Sequence, residues 1–319
     1  MIETRGLRKS YRSREGRQTK IVEAVRGIDL KVAEGEIFGF LGPNGAGKTT
    51  TLRMLATLIE PDGGEATVAG ADLRKDPAEV RRRIGYVAQG GSTWNESTAR
   101  EELVLHARMY GIGKAEANRR AARALDAFQL TEYADRKCKT YSGGQRRRVE
   151  IALGIIHEPR IVFLDEPTTG LDPQSRAHMW DEIRRLRADG MTVFITTHYL
   201  EEADALCDRI AITDHGEVVV EGTPTELKRE ISGDVVLVGL PAGATPQAAQ
   251  LLDGEPYVNK LETVDEGGLR LYVDEGATAI PQILRRVDTA GLGLNSIELH
   301  RPSLDDVFLT KTGRSLRES

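Results

Sequence analysis

The sequence predicts an α/β protein with a smaller α+β domain at its C-terminal end. Up to about residue 230, short apolar runs alternate with helical patterns, as strands and helices alternate in α/β folds. Near residues 231–234 this alternation ends, and a different order of strands and helices follows. We therefore expect a first domain over residues 1–231 and an accessory domain over residues 232–319.

Four apolar runs predict buried parallel strands in the first domain. They cover residues 37–41, 84–88, 161–164 and 192–195. Continuous apolar runs are typical of strands that are covered on both faces. A polar residue follows three of these runs: Gln89, Asp165 and, slightly later, His198. Because ligands of open α/β sheets bind at the carboxyl ends of the strands, we expect these three side chains to share one site.

Residues 98–158 are predicted to form a helical subdomain within the first domain. Apolar residues recur there at helical spacing without a strand signal between them, and they are Leu103, Ala107, Tyr110, Ala121, Leu125 and Phe128. An ordinary pair of crossover helices has the same spacing, and the pattern alone does not distinguish the two.

The accessory domain has the element order βαββαβ, which predicts a ferredoxin-like fold. Strands are expected over residues 235–240, 257–264, 269–273 and 294–299, and helices over 245–252 and 277–289. A Glu-Gly-Gly turn is expected between the two middle strands. A last helix, around residues 304–309, carries Leu304, Val307 and Phe308 on one face. That face either docks a partner or, as the pattern favours, packs onto its own domain.

The charge balance argues against a nucleic-acid-binding protein, because the formal net charge is -5 and such a protein needs a basic excess. The arginine runs 81–83 and 146–148 are interpreted as solvated helix faces or intramolecular contact surfaces. The sequence lacks an apolar run of about 18 residues and the pattern of a secretory signal, and its two cysteines predict no disulfide framework. We expect a cytosolic protein that reaches a membrane only through a partner.

A glycine-rich loop predicts the binding of a nucleoside triphosphate with Mg²⁺. It matches GxxxxGK[ST] between a predicted strand and a helical stretch, and its residues are Gly42, Pro43, Asn44, Gly45, Ala46, Gly47, Lys48 and Thr49. The glycines let backbone N–H groups surround the phosphates, and the N-terminus of the following helix adds its positive dipole end. Lys48 is expected to reach the β- and γ-phosphates, and the Thr49 hydroxyl to ligate Mg²⁺.

Two carboxylates, Asp165 and Glu166, follow the apolar run 161–164. Asp165 is expected to meet Mg²⁺, usually through water, because Mg²⁺ keeps much of its hydration shell. Glu166 lies one residue further on, where it can polarise an attacking water. Beside a phosphate loop, this pair favours a hydrolytic site over a solvated turn.

A second anion-binding helix start follows Tyr141. Ser142, Gly143, Gly144 and Gln145 precede a helical run, with Ser142 as the predicted N-cap and the glycines exposing backbone N–H groups. A capped helix without a ligand has the same spacing, so these residues alone leave the role of the segment open.

Together these motifs resemble the nucleotide-binding subunits of ABC transporters. The resemblance comprises, in chain order, the phosphate loop, Gln89, the Ser-Gly-Gly-Gln signature at 142–145, Asp165-Glu166, Gly170-Leu171-Asp172 and His198. Tyr141 stands where many members have leucine. With the triple arginine 146–148 and the tail 302–309, it resembles the daunorubicin-resistance branch of drug-efflux ATPases. The resemblance therefore covers the C-terminal domain as well.

This resemblance implies a RecA-like core, an N-terminal antiparallel β subdomain and a helical signature subdomain. It implies that two copies pair head to tail and that the signature, residues 142–145, acts on the ATP held by the phosphate loop of the other copy. It also implies that Asp172 crosses the dimer interface. Gln89 would sense Mg²⁺ and the attacking water and couple to the membrane partner, and His198 would contact the γ-phosphate and hold the water with Glu166.

The resemblance assigns two further residues to the nucleotide. Thr50 would extend the binding set beyond the phosphate loop, and Tyr11 would stack on adenine. The polar stretch 12–20 after Tyr11 is longer and more charged than the family pattern.

We therefore expect the ATP-hydrolysing subunit of an exporter of drugs or other hydrophobic small molecules, held on the inner face of the cell membrane by a separate multi-span permease. One alternative is a non-transport ABC ATPase that clamps nucleic acid or the ribosome, although the chain has a single ATPase module and no long heptad run. Another is a small-molecule kinase, in which the signature has no role. The remaining histidines are interpreted as surface or structural residues, and they are His106, His157, His178, His215 and His300.

Overall fold

The computed structural model of the protein describes residues 1–15, 18–91, 93–231, 233–241, 243–264 and 268–313. The chain divides into two compact units, Met1–Thr223 and the residues from Pro224 onward, and each unit is described by itself. The boundary expected after residue 231 falls at the end of the helix Pro224–Ile231, which belongs to the second unit. Among the helices of the described ranges, none is both long and apolar enough to cross a membrane.

The described part of the first unit contains ten strands and seven α-helices. The strands are β1 (Ile2–Glu15), β2 (Gln18–Val32), β3 (Ile37–Leu41), β4 (Gly63–Val68), β5 (Ala71–Asp72), β6 (Ile84–Val87), β7 (Ile161–Asp165), β8 (Thr192–Thr197), β9 (Arg209–Asp214) and β10 (Glu217–Gly222). The helices are α1 (Lys48–Leu55), α2 (Pro77–Arg83), α3 (Ala99–Met109), α4 (Lys114–Ala127), α5 (Gly143–Ile155), α6 (Pro173–Ala188) and α7 (Leu200–Leu206).

Two sheets organise the first unit. The larger has the order β10-β9-β3-β8-β7-β6, and all of its neighbouring pairs are parallel except β10 with β9. The smaller sheet is antiparallel and has the order β2-β1-β4-β5. The four predicted buried strands are β6, β7, β8 and β3, and they are neighbours in the larger sheet. The expected RecA-like core and antiparallel β subdomain are thus confirmed.

Aromatic side chains fill the space beside the larger sheet. The ring of Phe194 lies 5.5 Å from that of Phe38, 5.7 Å from that of Phe40 and 5.6 Å from that of Phe163, measured between centroids. All four side chains are fully buried, so their contacts add pairwise stabilisation to the burial of apolar area. This packing fixes β3, β7 and β8 side by side, and the phosphate loop and the carboxylate pair follow directly from β3 and β7.

The segment between β6 and β7 is helical, as predicted. Thr98 caps α3 in a capping box with Glu101, in which each side chain bonds the backbone N–H of the other. α4 follows, and a second capping box between Ser142 and Gln145 begins α5. The predicted N-cap at Ser142 is therefore confirmed, and it is the capping hydroxyl that sets the start of the signature helix.

The second unit has the predicted order of elements. It contains α8 (Pro224–Ile231), β11 (Asp234–Gly239), α9 (Thr245–Leu252), β12 (Lys260–Val264), β13 (Gly268–Val273), α10 (Gly276–Thr289), β14 (Ser296–His300) and α11 (Leu304–Thr312). The sheet order is β12-β13-β11-β14 with every neighbouring pair antiparallel, which is the ferredoxin-like arrangement. The expected Glu-Gly-Gly turn lies largely outside the described residues, because 265–267 are not described.

In the second unit, the structure corrects the expected start of one strand and decides between the two interpretations of the last helix. The strand expected from residue 257 begins only at Lys260, because Val258 closes a turn by donating its N–H to the carbonyl of Glu255 at 2.9 Å. The apolar face of α11 is buried, with Leu304 at 2% and Val307 and Phe308 at 0% exposure. This face therefore packs within its own unit, and the docking interpretation of it is wrong.

Candidate nucleotide-binding site

The phosphate loop lies between β3 and α1, as its motif requires. Gly45 and Gly47 have positive φ angles of 81° and 92°, a conformation that side chains with a Cβ rarely adopt. A Cβ on Gly47 would also lie 2.3 Å from the carbonyl oxygen of Ala24, so only glycine fits there. The same holds for Gly42, whose Cβ would lie 2.3 Å from the Thr213 carbonyl oxygen. The glycines are thus required by backbone path and by close packing.

Lys48 is folded back over this loop. Its Nζ donates to the carbonyl oxygens of Gly42 at 2.8 Å and Pro43 at 2.9 Å, and it lies 3.7 Å from Glu166 Oε1. The side chain is only 4% exposed, and burial lowers the pKa of the amine, while the charges of Glu166 and Asp165 act in the opposite direction. A cation held this way is positioned for phosphate binding.

Asp165 ends β7 beside the loop. Its Oδ1 accepts hydrogen bonds from the hydroxyls of Thr49 at 3.1 Å and Thr196 at 2.6 Å. The carboxylate and the Thr49 hydroxyl, both expected to meet Mg²⁺, are therefore in direct contact. Thr196 lies opposite Asp165 in the parallel pairing of β7 with β8, so the sheet register itself supplies this partner.

Glu166 leaves the strand in a left-handed conformation, with a φ of 45°. Its N–H donates to both the carbonyl and the hydroxyl oxygen of Thr196, each at 3.1 Å, which holds this uncommon backbone state in place. A non-glycine residue in this region marks local strain that the surroundings must maintain. The turn directs the Glu166 side chain towards Lys48.

On the side away from Lys48, the side chains of Gln89, Thr169 and His198 converge on Oε2 of the Glu166 carboxylate. Gln89 Nε2 donates to its Oε2 at 2.7 Å, and the Thr169 hydroxyl donates to the same atom at 3.1 Å. His198 Nδ1 lies 3.2 Å from this oxygen, although the ring nitrogen does not meet hydrogen-bond geometry. Burial raises the pKa of Glu166, but His198 and Lys48 outweigh it, so the pKa is lowered and the group stays ionised. The three strand ends thus meet at one site, as predicted.

A cavity of about 470 Å³ opens over the phosphate loop. It is lined by loop residues Asn44, Gly45, Gly47, Lys48, Thr49 and Thr50, by Gln89 and Glu166, and by residues of the antiparallel sheet that include Tyr11. Tyr11 pairs with Val22 across β1 and β2 and remains 41% exposed. The charged stretch 12–20 extends β1 up to residue 15 and β2 from residue 18, on either side of the undescribed residues 16 and 17. Tyr11 stays in the lining of the cavity over the phosphate loop. Stacking of this ring on adenine stays a prediction.

The signature and Asp172 form a separate cluster. None of the residues 142–145 lines the cavity, and Ser142 and Gly143 are exposed at the start of α5. Asp172 caps α6 by accepting from the N–H of Ser175 at 2.9 Å and from its hydroxyl at 2.7 Å. These two bonds lower the pKa of the carboxyl. A Cβ on Gly144 would lie 3.1 Å from Ser175 Oγ, so the two motifs are neighbours on one surface.

Sequence reasoning missed Thr169, Thr196 and His215 at the site. Thr196 donates its hydroxyl to the Asp165 carboxylate and accepts from the backbone N–H of Glu166, and its only signal in the sequence was a β-branched residue near the end of a predicted strand. His215, interpreted as a surface or structural residue, lines the cavity with 71% of its side chain exposed. His157, by contrast, is a packing residue, since its ring stacks on Tyr110 at 3.8 Å and its Nε2 contacts the Ile84 carbonyl at 2.8 Å.

Two family models match this chain. The model described as ABC transporter matches residues 25–169, and the model of the C-terminal domain of DrrA1-3-like ATP-binding proteins matches residues 222–312. The daunorubicin/doxorubicin resistance ATP-binding protein DrrA of Streptomyces peucetius is 45% identical over 98% of this chain and 92% of its own length. The linearmycin resistance ATP-binding protein LnrL of Bacillus subtilis is 37% identical over 100% of both chains.

Solved structures agree with the fold of the first unit. The dimeric structure of a post-hydrolysis state of an ATP-binding cassette, bound to ADP and Pi, has a TM-score of 0.63 and 30% sequence identity. The match covers 70% of this chain and 98% of that one. The chain therefore belongs to the ATP-hydrolysing ATP-binding proteins of the ABC transporter family, in the branch of the daunorubicin/doxorubicin resistance proteins.

Proposed function

We propose that two copies of this chain close around two ATP molecules and drive a separate membrane permease that exports a hydrophobic small molecule. One observation carries the proposal: Lys48, Gln89 and Glu166 line the cavity, while the signature lies outside it. His198 supports this set from behind, with its Nδ1 3.2 Å from Glu166 Oε2. A helix start with exposed N–H groups and no anion in its own site is suited to a phosphate that another copy holds. Head-to-tail pairing of two copies brings each signature to the other phosphate loop.

The oxygen atoms around Asp165 fit Mg²⁺. The Asp165 carboxylate and the Thr49 hydroxyl are 3.1 Å apart, and Gln89 presents an amide whose nitrogen already donates to Glu166. Oxygen ligands in small number, completed by phosphate and water, are those that Mg²⁺ prefers. We propose that Thr49, Gln89 and Asp165 hold this ion, which supplies charge neutralisation to the phosphates when it is bound.

Glu166 is the proposed general base. Its lowered pKa keeps it able to accept a proton, and Gln89, Thr169 and His198 fix the direction of its carboxylate. A base of this kind orients the attacking water and takes up its proton. Lys48, which now bonds two loop carbonyls, has the charge and position to bind the β- and γ-phosphates instead.

Exposed apolar side chains offer a surface for the permease. Leu58, Leu105, Met109 and Tyr110 are between 45% and 73% exposed, and Leu58 and Tyr110 line a groove of about 170 Å³. Glu150, which lines the same groove, packs against Gly91 in the loop that carries Gln89. A partner seated there would touch the neighbourhood of Gln89, which supports the proposed coupling. Met109→Glu should therefore abolish permease recruitment and leave ATPase activity of the isolated chain unchanged.

The relatives narrow the choice of function. Their names refer to resistance against daunorubicin, doxorubicin or linearmycin and to Nod factor export, so a clamp on nucleic acid or the ribosome is not favoured. These compounds differ in chemistry, which supports a substrate choice made by the permease rather than by this chain.

The test of the proposal is Glu166→Gln, with Glu65→Gln on the exposed face of β4 as the matched control. The first variant should bind ATP, form a dimer with ATP that size-exclusion chromatography resolves, and hydrolyse ATP at least about 100-fold more slowly. The control should behave like the wild type. Wild-type hydrolysis by Glu166→Gln would refute the role of this base, and a monomer at saturating ATP would refute the dimer.

A further inference from the structure

Arg147, the middle residue of the second arginine run, is buried rather than solvated. Its side chain is 7% exposed. Its Nη1 donates to the carbonyl of Ala88 at 2.7 Å and to Glu150 Oε2 at 3.0 Å, Nη2 donates to the carbonyl of Asp165 at 3.0 Å, and Nε donates to the carbonyl of Pro167 at 2.9 Å. A guanidinium in this state has nearly its full set of partners, which a buried arginine requires.

The accepting carbonyls flank the catalytic side chains. Ala88 directly precedes Gln89, and Asp165 and Pro167 lie on either side of Glu166. Gln89 and Glu166 bond each other at 2.7 Å, so one guanidinium fixes the backbones of both partners of this bond. Displacing it would change the direction of the proposed base without touching the phosphate loop.

The other end of this connection is the signature. Arg147 lies in the second turn of α5, whose first turn begins at Ser142 with its capping box. A helix is a rigid element over this distance, so movement of the signature must move the Arg147 guanidinium or break its bonds. In the proposed dimer, the signature contacts the ATP of the other copy. Arg147 therefore joins the two ATP sites through a single side chain.

We propose that Arg147 is a positioning residue that couples the partner-held ATP at the signature to the alignment of Gln89 and Glu166 in its own chain. This inference rests on the proposed dimer. The fork shape of arginine is essential to it, because three carbonyls in different directions are bonded at once. Glu150, 4% exposed and paired with the guanidinium, holds the fork in its plane.

The same run supplies a matched control. Arg148 lies one position further along α5, and its Nη1 donates to the carbonyl of Phe128 at 3.1 Å, within the helical subdomain. Arg148→Met therefore removes a bond of α5 that does not reach the strand ends. Arg147→Lys keeps a positive charge opposite Glu150, so we expect it to fold, but an ammonium on a single stem cannot bond all three carbonyls.

The experiment compares Arg147→Lys, Arg147→Met and Arg148→Met as full chains. Fluorescent ATP-analogue binding, kcat and the Hill coefficient for ATP are measured, together with thermal unfolding. Both Arg147 variants should bind the analogue like the wild type, lose kcat by about 10- to 100-fold, and show a Hill coefficient near one. Arg148→Met should keep the wild-type kcat and cooperativity.

Three results would overturn the inference. In the first, the wild type forms an ATP-dependent, cooperative dimer, and Arg147→Lys has the same kcat and Hill coefficient as the wild type. The role of Arg147 is then refuted, and the proposed function stands. In the second, analogue binding, kcat and thermal stability fall together in both Arg147 variants, which shows a structural role only. A wild type that neither dimerises nor shows cooperativity would overturn this inference together with the dimer.

Discussion

Glu202 offers a prediction whose size can be worked out from its surroundings. This carboxyl lies on α7, just after His198, and is fully buried. Its Oε1 accepts from the hydroxyl of Thr168 at 2.7 Å and from the indole N–H of Trp180 at 3.1 Å. Thr168 belongs to the segment between Glu166 and α6, so Glu202 ties the two loops that follow β7 and β8. Burial raises the pKa of Glu202 by more than its hydrogen bonds lower it, so the pKa is raised.

Glu202→Ala would leave both donors without this acceptor. Thr168 is fully buried, and an unsatisfied buried hydroxyl costs about 1–3 kcal/mol. Trp180 is half-buried, so we expect the lower end of that range for its indole, about 1 kcal/mol. The free energy of unfolding should therefore fall by about 2–4 kcal/mol. Glu202→Gln keeps a side-chain oxygen for the two donors and should stay within about 1 kcal/mol of the wild type.

The pH dependence gives an independent check on the same group. Because the folded pKa is raised above the ordinary value of 4.5, the contribution of Glu202 to stability is complete below pH 4.5. It is lost as the pH rises through the raised pKa, since the unfolded chain gains more from ionisation. Glu202→Gln cannot ionise and lacks this loss. The difference in stability between this variant and the wild type should therefore shift in favour of the variant with rising pH.

Urea unfolding followed by tryptophan fluorescence measures these quantities. The chain has two tryptophans, Trp94 and Trp180, and both lie in the first unit, so the signal reports that unit alone. Ordinary surface substitutions change the free energy of unfolding by up to about 0.5 kcal/mol. If Glu202→Ala changed it by no more than this, the reasoning would be refuted. The same pH dependence in Glu202→Gln as in the wild type would also refute it.

Three further predictions concern packing and nucleotide binding. Phe308→Ala should lower the free energy of unfolding of the second unit by about 3–5 kcal/mol. Leu309 is 47% exposed, so Leu309→Ala should change this free energy by less than about 0.5 kcal/mol. Hydrogen exchange of residues 224–313 would measure both. Gly47→Ala should weaken ATP-analogue binding by more than about tenfold. Gly45→Ala should weaken it less, because a Cβ at Gly45 would meet open space. Tyr11→Ala should weaken ATP-analogue binding by about 2- to 12-fold, whereas Tyr11→Phe should bind the analogue like the wild type. Equal affinities of the two Tyr11 variants, or of the two glycine variants, would contradict these assignments.

Local patterns in the sequence predicted most of the site. The phosphate loop, the carboxylate pair and the cap at Ser142 each depend on residues a few positions apart, whose geometry a strand end or helix start determines. The convergence of the strand ends that carry Gln89, Asp165 and His198 followed from one further rule, that parallel strands end at the same edge. The βαββαβ order of the second unit was likewise readable, because each element has its own period.

Pairings across the chain were not readable. Nothing local states that Thr196 lies opposite Asp165, since sheet register is a tertiary property. The charge of Arg147 suggested a solvated face or an intramolecular contact, but its targets are carbonyl groups, which no sequence pattern marks. The helix Pro224–Ile231 continued the alternation of the first domain in sequence, although it belongs to the second unit.

The central claim is that the ATP of one copy is completed by the signature of another, and mixing two inactive variants tests it most directly. Glu166→Gln removes the proposed base, and Gly144→Asp places a carboxylate at the proposed phosphate contact of the signature, where its Cβ would lie 3.1 Å from Ser175 Oγ. A mixed dimer then contains one intact site. An equimolar mixture should hydrolyse ATP faster than either variant alone and reach at most about a quarter of the wild-type rate, because half of randomly paired dimers are mixed and each has one of two sites. The coupling proposed through Arg147 lowers the rate of that site further, since its chain carries the altered signature. A mixture that hydrolyses ATP no faster than the average of its two components would contradict the account.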